Sequence, residues 1–84
     1  LKIVKSIHDK GVYHNDIKED NFIMVNGAPR LIDFDNVSTT SFRLKQGGGF
    51  TSPYYEIGEM TGVKADLKAL GLSFFAMRYY KDDR

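Results

Sequence analysis

The sequence lacks cysteine, long apolar runs and an excess of charge of either sign. The absence of cysteine excludes disulfide scaffolds and thiolate zinc sites. No window approaches the roughly 18 consecutive apolar residues that a membrane span needs, so we expect no membrane span. The net charge is +1, and lysine and arginine are spread along the chain without the basic stripe typical of nucleic-acid binding. We therefore expect no nucleic-acid partner, and the composition predicts no particular compartment.

The composition is that of an ordinary globular protein, but the chain is short. Of its 84 residues, 42% are apolar and 27% are charged, which is typical of a packed domain. A chain of this length buries only about 60–65% of its unfolded surface, which gives a modest core. The sequence starts at Leu1 inside a helical pattern, without an initiator methionine or a signal-peptide pattern. We interpret it as a piece of a longer protein.

Apolar periodicity predicts an α+β arrangement in the first part of the chain. Residues 1–10 are predicted to be the end of a helix that Gly11 terminates. Short strands are predicted at 12–13 and 22–25, and residues 26–29 are predicted to form a turn before a third strand at 30–32. Residues 12–32 would then form a polar loop flanked by a small hairpin.

The second part of the chain divides into a loop and a helix. Residues 36–51 contain hydroxyl side chains and Gly47-Gly48-Gly49 without periodicity, which predicts a mobile loop. Residues 64–80 are predicted to form a buried helix because apolar side chains recur at helical spacing. The predicted apolar face consists of Leu67, Leu70, Phe74 and Met77.

Four polar residues follow one another in an order that suits phosphoryl transfer. They are Asp16, Lys18 and Asn21, in His14-Asn15-Asp16-Ile17-Lys18-Glu19-Asp20-Asn21, and Asp33, in Leu31-Ile32-Asp33-Phe34. Phosphoryl transfer requires a carboxylate near the acceptor hydroxyl, a cation, and oxygen ligands for magnesium. Taken singly, such residues are common in turns, so the prediction depends on their joint spacing.

These residues, with later ones, resemble the central part of the C-terminal lobe of a eukaryotic-type protein kinase. That family has a His-Arg-Asp-x-Lys-x-x-Asn catalytic loop, an Asp-Phe-Gly metal motif, an Ala-Pro-Glu end of the activation segment, and an Asp-x-Trp-x-x-Gly helix. The sequence has matching or degraded versions of all four, in the same order: residues 14–21, Asp33-Phe34-Asp35, Ile57-Gly58-Glu59, and residues 66–71. The resemblance implies a kinase-like α+β fold, a mostly helical C-lobe portion with residues 33–59 as the activation segment.

The resemblance also implies a role for each motif residue. Asp16 would accept or orient the proton of the substrate hydroxyl, and Lys18 would neutralise the phosphoryl oxygens of ATP. Asn21 and Asp33 would hold Mg²⁺, or alternatively Mn²⁺, through hard oxygen ligands. His14 would support the loop by bonding to the backbone near Asp33 rather than transfer a proton.

A second group of residues resembles the protein-substrate platform of the family, Thr-Pro-x-Tyr-x-Ala-Pro-Glu. Its counterparts in this sequence are Ser52, Pro53, Tyr55 and Glu59. Asp66 would anchor the catalytic-loop backbone from the start of the helix, and Glu59 would pair with an arginine elsewhere in the kinase domain. With Lys18, the pattern implies a serine/threonine protein kinase whose partners are a protein substrate and the remainder of its own domain.

The sequence departs from the family pattern at several positions. Asn15 replaces the arginine that captures a phosphorylated activation-segment residue, so control by such phosphorylation is not expected. Asp35 replaces the glycine of the metal motif. Ile57 and Gly58 replace Ala-Pro, and Lys68 replaces the tryptophan of the helix motif.

Two alternatives therefore stay open. Asn15 and Asp35 also suit a pseudokinase that binds nucleotide or a partner without turnover. Ile32-Asp33-Phe34-Asp35 also resembles small-molecule kinases of the aminoglycoside and choline phosphotransferase type, although these usually lack a lysine at the position of Lys18. In all cases the glycine-rich loop and strand lysine of a kinase lie outside these residues. We expect the 84-residue piece alone to be inactive.

Overall fold

The computed structural model describes residues 2–46 and 53–82, which form an α+β arrangement. Helix α1 (Lys2–Asp9) leads through the polar loop and a 3-10 turn (Glu19–Asn21) into strands β1 (Phe22–Val25) and β2 (Ala28–Leu31). Helix α2 (Val63–Asp82) follows an irregular segment. The predicted fold class is thus confirmed. None of the helices in the described part of the chain is long and apolar enough to cross a membrane.

Helix α1 ends in a hydrogen-bonded glycine cap. The Gly11 amide donates to the His8 carbonyl at 2.9 Å, and the Val12 amide donates to the Ile7 carbonyl, also at 2.9 Å. This pair of bonds is the Schellman arrangement, which requires a left-handed residue after the helix. Gly11 has φ of +76°, which glycine adopts without the steric penalty of a side chain. The cap turns the chain directly into the polar loop.

The hairpin has a tighter turn than the sequence predicted. The turn consists of Asn26 and Gly27 alone, with φ of +52° and +79°, as in the type I′ turns that join antiparallel strands. Ala28 and Pro29, which were predicted to lie in the turn, instead belong to β2 and pair with Val25 and Met24. In an antiparallel hairpin, the residue pair next to a two-residue turn exchanges backbone hydrogen bonds, and the following pair does not. Pro29 belongs to that following pair, so its missing amide hydrogen removes no hydrogen bond from the ladder.

Helix α2 is buried on a different face from the predicted one. Its buried side chains are Ala65, Asp66, Ala69, Leu70 and Ser73. Of the predicted apolar face, Leu70 is buried, whereas Leu67 is 51% exposed and Phe74 is 39% exposed. Small side chains at three- and four-residue spacing let the catalytic loop approach the helix closely, and this position also directs Asp66 at the loop. Within the described residues, much of the surface of α2 is therefore exposed, and its burial in the complete domain stays a prediction.

The segment between β2 and α2 is hydrogen-bonded over its described residues. Tyr13 and Ser38 exchange backbone bonds of 2.8 and 3.0 Å, so the strand predicted at residues 12–13 is a single bridge. Residues 42–44 run antiparallel to residues 58–61 through three further backbone bonds. The predicted mobile loop is thus held at its start, whereas Gly47-Gly48-Gly49 lies outside the described residues.

The core combines apolar and polar side chains in nearly equal number. The buried apolar residues are Val4, Ile17, Leu31, Leu44, Tyr55, Ala65, Ala69 and Leu70. The buried polar residues are His14, Asn15, Asp16, Asn21, Thr61, Asp66 and Ser73. Because buried polar groups are costly unless hydrogen-bonded, this composition requires a specific network.

We predict that Gly27→Ala destabilises the full-length protein by about 1 kcal/mol, because the left-handed turn strains any residue with a β-carbon. An added β-carbon would contact nothing within 4 Å, so the cost is one of backbone conformation alone. Gly27→Asn is the matched control and should cost less than half as much, since asparagine tolerates this region. The free energy of unfolding in urea measures both. Equal costs would contradict the assignment of the turn.

Candidate active site

The Asp66 carboxylate, at the start of α2, holds the catalytic loop in place. Its Oδ2 accepts from the His14 amide at 2.8 Å and lies 2.8 Å from Nε2 of His8. Its Oδ1 accepts from the Asn15 amide at 3.0 Å and from the Tyr55 hydroxyl at 2.8 Å. Asp66 is fully buried, so these bonds replace the water that its charge has lost. One side chain thereby fixes two successive backbone positions just before Asp16.

His14 supports the loop from below, with a tautomer defined by its neighbours. Its Nδ1 lies 3.2 Å from the Asp16 amide, which can only donate, and its Nε2 lies 3.1 Å from the Ile32 carbonyl, which can only accept. The hydrogen is therefore assigned to Nε2. The ring also meets Phe34 edge to face at 5.0 Å. His14 thus joins the loop to the backbone next to Asp33, the contact expected from the sequence.

Asp16 has two carboxylate oxygens in different surroundings. Oδ2 accepts from the Asn21 side-chain amide at 3.1 Å, and the same amide donates to the Asp16 carbonyl at 2.7 Å. Oδ1 is buried and has no hydrogen-bond partner among the described residues, although Nζ of Lys18 lies 3.9 Å away. An unsatisfied buried acceptor costs about 1–3 kcal/mol. Asp16 is thus fixed on one side by hydrogen bonds, and on the other side its Oδ1 has the ion pair with Lys18.

Asn21 and Asp33 offer the oxygen atoms of a candidate magnesium site. The Asn21 amide nitrogen is engaged by Asp16, which leaves Oδ1 as the remaining acceptor of that side chain. The Ile32 amide donates to the Asn21 carbonyl at 2.8 Å and so places Asp33 beside the loop. Asp33 is exposed and has φ of +62°, an unusual conformation for a residue with a side chain.

The chemistry of this pair fits magnesium. Mg²⁺ takes hard oxygen ligands, keeps several waters, and often uses only one or two protein ligands together with phosphate. Within residues 2–46 and 53–82, no cluster of three or more His, Cys, Asp or Glu side chains could hold a metal by itself. The Asn21 amide oxygen and the Asp33 carboxylate therefore suit a metal ion whose other ligands are phosphate oxygens and water.

Among the predicted platform residues, Tyr55 lies deepest. Its hydroxyl accepts from the Ile17 amide at 3.1 Å while it donates to Asp66, so it lies beneath the catalytic loop. Burial, together with the negative charge of Asp66, raises the pKa of the Tyr55 phenol far above its ordinary value. Pro53 is exposed. Ser52 lies outside the described residues.

Glu59 pairs with a lysine within the described chain, and the expected pairing with an arginine elsewhere in the kinase domain stays a prediction. Its Oε2 lies 2.5 Å from Nζ of Lys68, the residue at the tryptophan position of the helix motif. The two side chains lie on the end of the activation segment and on α2, where they are partly exposed. Lys68, which replaces the tryptophan of the family motif, thus provides a positive charge that pairs with Glu59. The Tyr54 hydroxyl makes a further contact, with the Glu19 carboxylate.

Comparison with known proteins identifies relatives over nearly the whole chain. Serine/threonine-protein kinase D of Synechocystis sp. is 37% identical over 95% of this chain and 16% of its own length. Calcium-dependent protein kinase 25 of Arabidopsis thaliana is 35% identical over 92% of this chain and 16% of its own length. Dual specificity protein kinase Ttk of Danio rerio is 29% identical over 96% of this chain and 10% of its own length. This similarity over nearly the whole chain is consistent with a piece of a protein kinase domain.

The relatives also define the extent of the similarity. The chain spans about a tenth to a sixth of the length of these kinases. No family model and no solved structure matches it. The identification therefore depends on relatives that match nearly all of this chain, and it agrees with the kinase-like order of motifs in the sequence.

Three contacts of this kinase segment escaped sequence reasoning. His8 on α1 bonds to Asp66, Tyr55 reaches beneath the loop, and the Asn36 side chain lies near Asp16. The spacing of His8 four residues after the buried Val4 is a usable signal, because such residues share a helix face. Tyr55 and Asn36 have no comparable local signal.

We predict that alkaline pH destabilises the protein through Tyr55. Its pKa is raised in the folded state, so its stabilising contribution is complete below about pH 10 and declines as the pH rises above that, by at most about 1.4 kcal/mol per pH unit. Urea unfolding between pH 8 and 11 measures this decline. Tyr55→Phe should be less stable at pH 8, because it loses the bonds to Asp66 and Ile17, yet show a smaller decline. Parallel declines in both proteins would contradict the prediction.

Proposed function

We propose that the full-length protein is a serine/threonine protein kinase in which Asp16 receives the proton of the acceptor hydroxyl. The observation that carries this proposal is the asymmetric environment of Asp16, with Oδ2 bound by Asn21 and Oδ1 buried without a hydrogen-bond partner among the described residues. A hydroxyl that donates to Oδ1 would satisfy this acceptor. It must displace the side chains that cover the atom, of which Lys18 is a close neighbour.

The proposed reaction transfers the γ-phosphoryl group of ATP to a protein hydroxyl. The hydroxyl oxygen forms a bond to the γ-phosphorus as the bond to the β,γ-bridging oxygen breaks, and ADP leaves with that electron pair. The hydroxyl proton passes to Asp16. Lys18, whose Nζ is 3.9 Å from Asp16 Oδ1, is close enough to neutralise oxygens of the transferred group. Positioning and charge neutralisation account for most of the catalysis in such a reaction.

Asn21 and Asp33 would hold Mg²⁺ or Mn²⁺ in this scheme. A bound divalent cation supplies charge neutralisation between the phosphates of ATP. The fixed Asn21 amide supports this role, because its nitrogen donates to Asp16 and Oδ1 is the acceptor of that side chain. Asp35 donates its amide to Asp33 Oδ1 at 3.4 Å, so the residue that replaces glycine contributes a backbone contact to the metal motif.

A protein substrate is favoured over a small molecule. The relatives named above are protein kinases, and the chain has counterparts of the substrate platform at Ser52, Pro53, Tyr55 and Glu59. The contact between Glu59 and Lys68 holds the end of this platform against α2. The second candidate is a pseudokinase, which the added charge of Asp35 beside Asp33 favours.

Phosphoryl transfer by the full-length protein tests the proposal. We predict Mg²⁺-dependent transfer from labelled ATP to a generic protein substrate, and a loss of at least about 100-fold in kcat for Asp16→Ala, the size expected for a lost general base. Asp33→Ala should lose activity and require more Mg²⁺ for what remains. Asp9→Ala is the matched control, since this aspartate is exposed on α1, and it should match wild type.

Each alternative has its own outcome in the same experiment. Equal activity of wild type, Asp16→Ala and Asp33→Ala would refute the assigned roles. Thermal stabilisation by nucleotide without any transfer would favour the pseudokinase. Phosphorylation of aminoglycosides or choline analogues but not of proteins would favour a small-molecule kinase.

We also propose that the 84-residue piece is inactive by itself. Its hairpin and catalytic loop contain candidate groups for the metal and the acceptor hydroxyl, but the sequence has no glycine-rich loop of the kinase type for ATP. Detectable phosphotransfer by the isolated piece would refute this.

A further inference from the structure

The Asn36 side chain makes a second amide contact with the Asp16 carboxylate. Asn36 Nδ2 lies 3.5 Å from Asp16 Oδ2, the oxygen that also accepts from Asn21 Nδ2 at 3.1 Å. Both donors are neutral amides and both approach the same oxygen. Asn36 belongs to none of the motifs in the sequence, and it follows the metal motif by one residue.

The two amide groups that approach Oδ2 determine which carboxylate oxygen of Asp16 faces the substrate hydroxyl. The terminal torsion of an aspartate side chain is broad and roughly two-fold, so rotamer preference alone does not distinguish its two oxygens. The contacts from Asn21 and Asn36 hold Oδ2 on the protein side. Oδ1 is therefore the carboxylate oxygen of Asp16 that has no hydrogen-bond partner among the described residues.

Asn36 is in turn held by Asn15. Nδ2 of Asn15 donates to the Asn36 carbonyl at 2.9 Å and to the Ser38 hydroxyl at 2.8 Å. The Asn15 side chain is fully buried, and its backbone amide donates to Asp66. A continuous set of contacts therefore runs from Asp66 through Asn15 and Asn36 to Asp16. None of them involves a phosphate or an ion pair.

We propose that Asn36 is a positioning residue for Asp16 and that Asn15 sets the place of Asn36. This inference rests on the proposed function, since it assigns Asn36 to the orientation of the proposed base. The neutral contacts of Asn15 fix the start of the activation segment directly. Orientation of Asp16 therefore does not require phosphorylation of that segment.

Steady-state kinetics of the full-length protein test the proposal. Asn36→Ala should lower kcat about three- to tenfold, the factor that corresponds to one modest hydrogen bond, and leave the KM for ATP unchanged. Asn36 is exposed, so the folded protein should retain its melting temperature. Thr39→Ala is the matched control, because Thr39 is exposed in the same segment, and its kcat should equal that of wild type.

A double-mutant cycle tests the route through Asn15. Asn15→Gly removes the side chain but tolerates the φ of +70° at this position. If Asn15 acts through Asn36, the double variant should lose no more kcat than the more impaired single variant. A loss equal to the product of the two single losses would overturn this route.

The outcomes separate this inference from the proposed function. An unchanged kcat for Asn36→Ala, in a protein whose Asp16→Ala variant is inactive, overturns the positioning role and leaves the proposed function intact. A rise in the KM for ATP with constant kcat also overturns it. If wild type itself transfers no phosphate, the proposed function fails and this inference fails with it.

Discussion

The burial of the Asp66 carboxylate is the constraint on which the rest of the structure depends. A charge without water needs compensating donors, and Asp66 obtains them from α1, from two loop amides and from the activation segment. Because these donors come from three different parts of the chain, satisfying one carboxylate fixes the relative positions of those parts. The helix contributes small residues on the same face, so the loop lies close enough for these bonds to form. The relative positions of these chain segments are therefore specified by a buried polar group, and the apolar core packs around it.

The order of the candidate site residues was readable from the sequence, but the contacts that they make were not. Asp16, Lys18, Asn21 and Asp33 lie close together along the chain, so a local pattern identified them. Gly11 and the Asn26-Gly27 pair were likewise readable, because left-handed conformations have strong residue preferences. The contacts made by His8 and Tyr55 join residues 58 and 38 positions apart, and no local pattern specifies such pairs. The face of α2 was wrong for the same reason, since apolar periodicity does not anticipate a buried carboxylate.

Two of the departures from the family pattern share a physical character. Asn15 uses neutral hydrogen bonds where the family has a cation, and Lys68 puts a cation where the family has an apolar ring. In both cases the structure shows the replacement in contact with a nearby group of the chain. These positions are thus occupied by working contacts of a different chemistry. Asn15 Oδ1 nevertheless is buried without a hydrogen-bond partner among the described residues.

The short ladder between residues 42–44 and 58–61 closes a loop within the stretch that joins β2 to α2. Once the ends of a loop are joined, its closure entropy grows only with the logarithm of its length, at about 0.6 kcal/mol for each doubling. Tyr55 lies within this loop and is itself anchored by its bonds to Ile17 and Asp66. A change in the number of residues between positions 44 and 53 therefore adds little closure free energy, as long as Tyr55 keeps these two bonds.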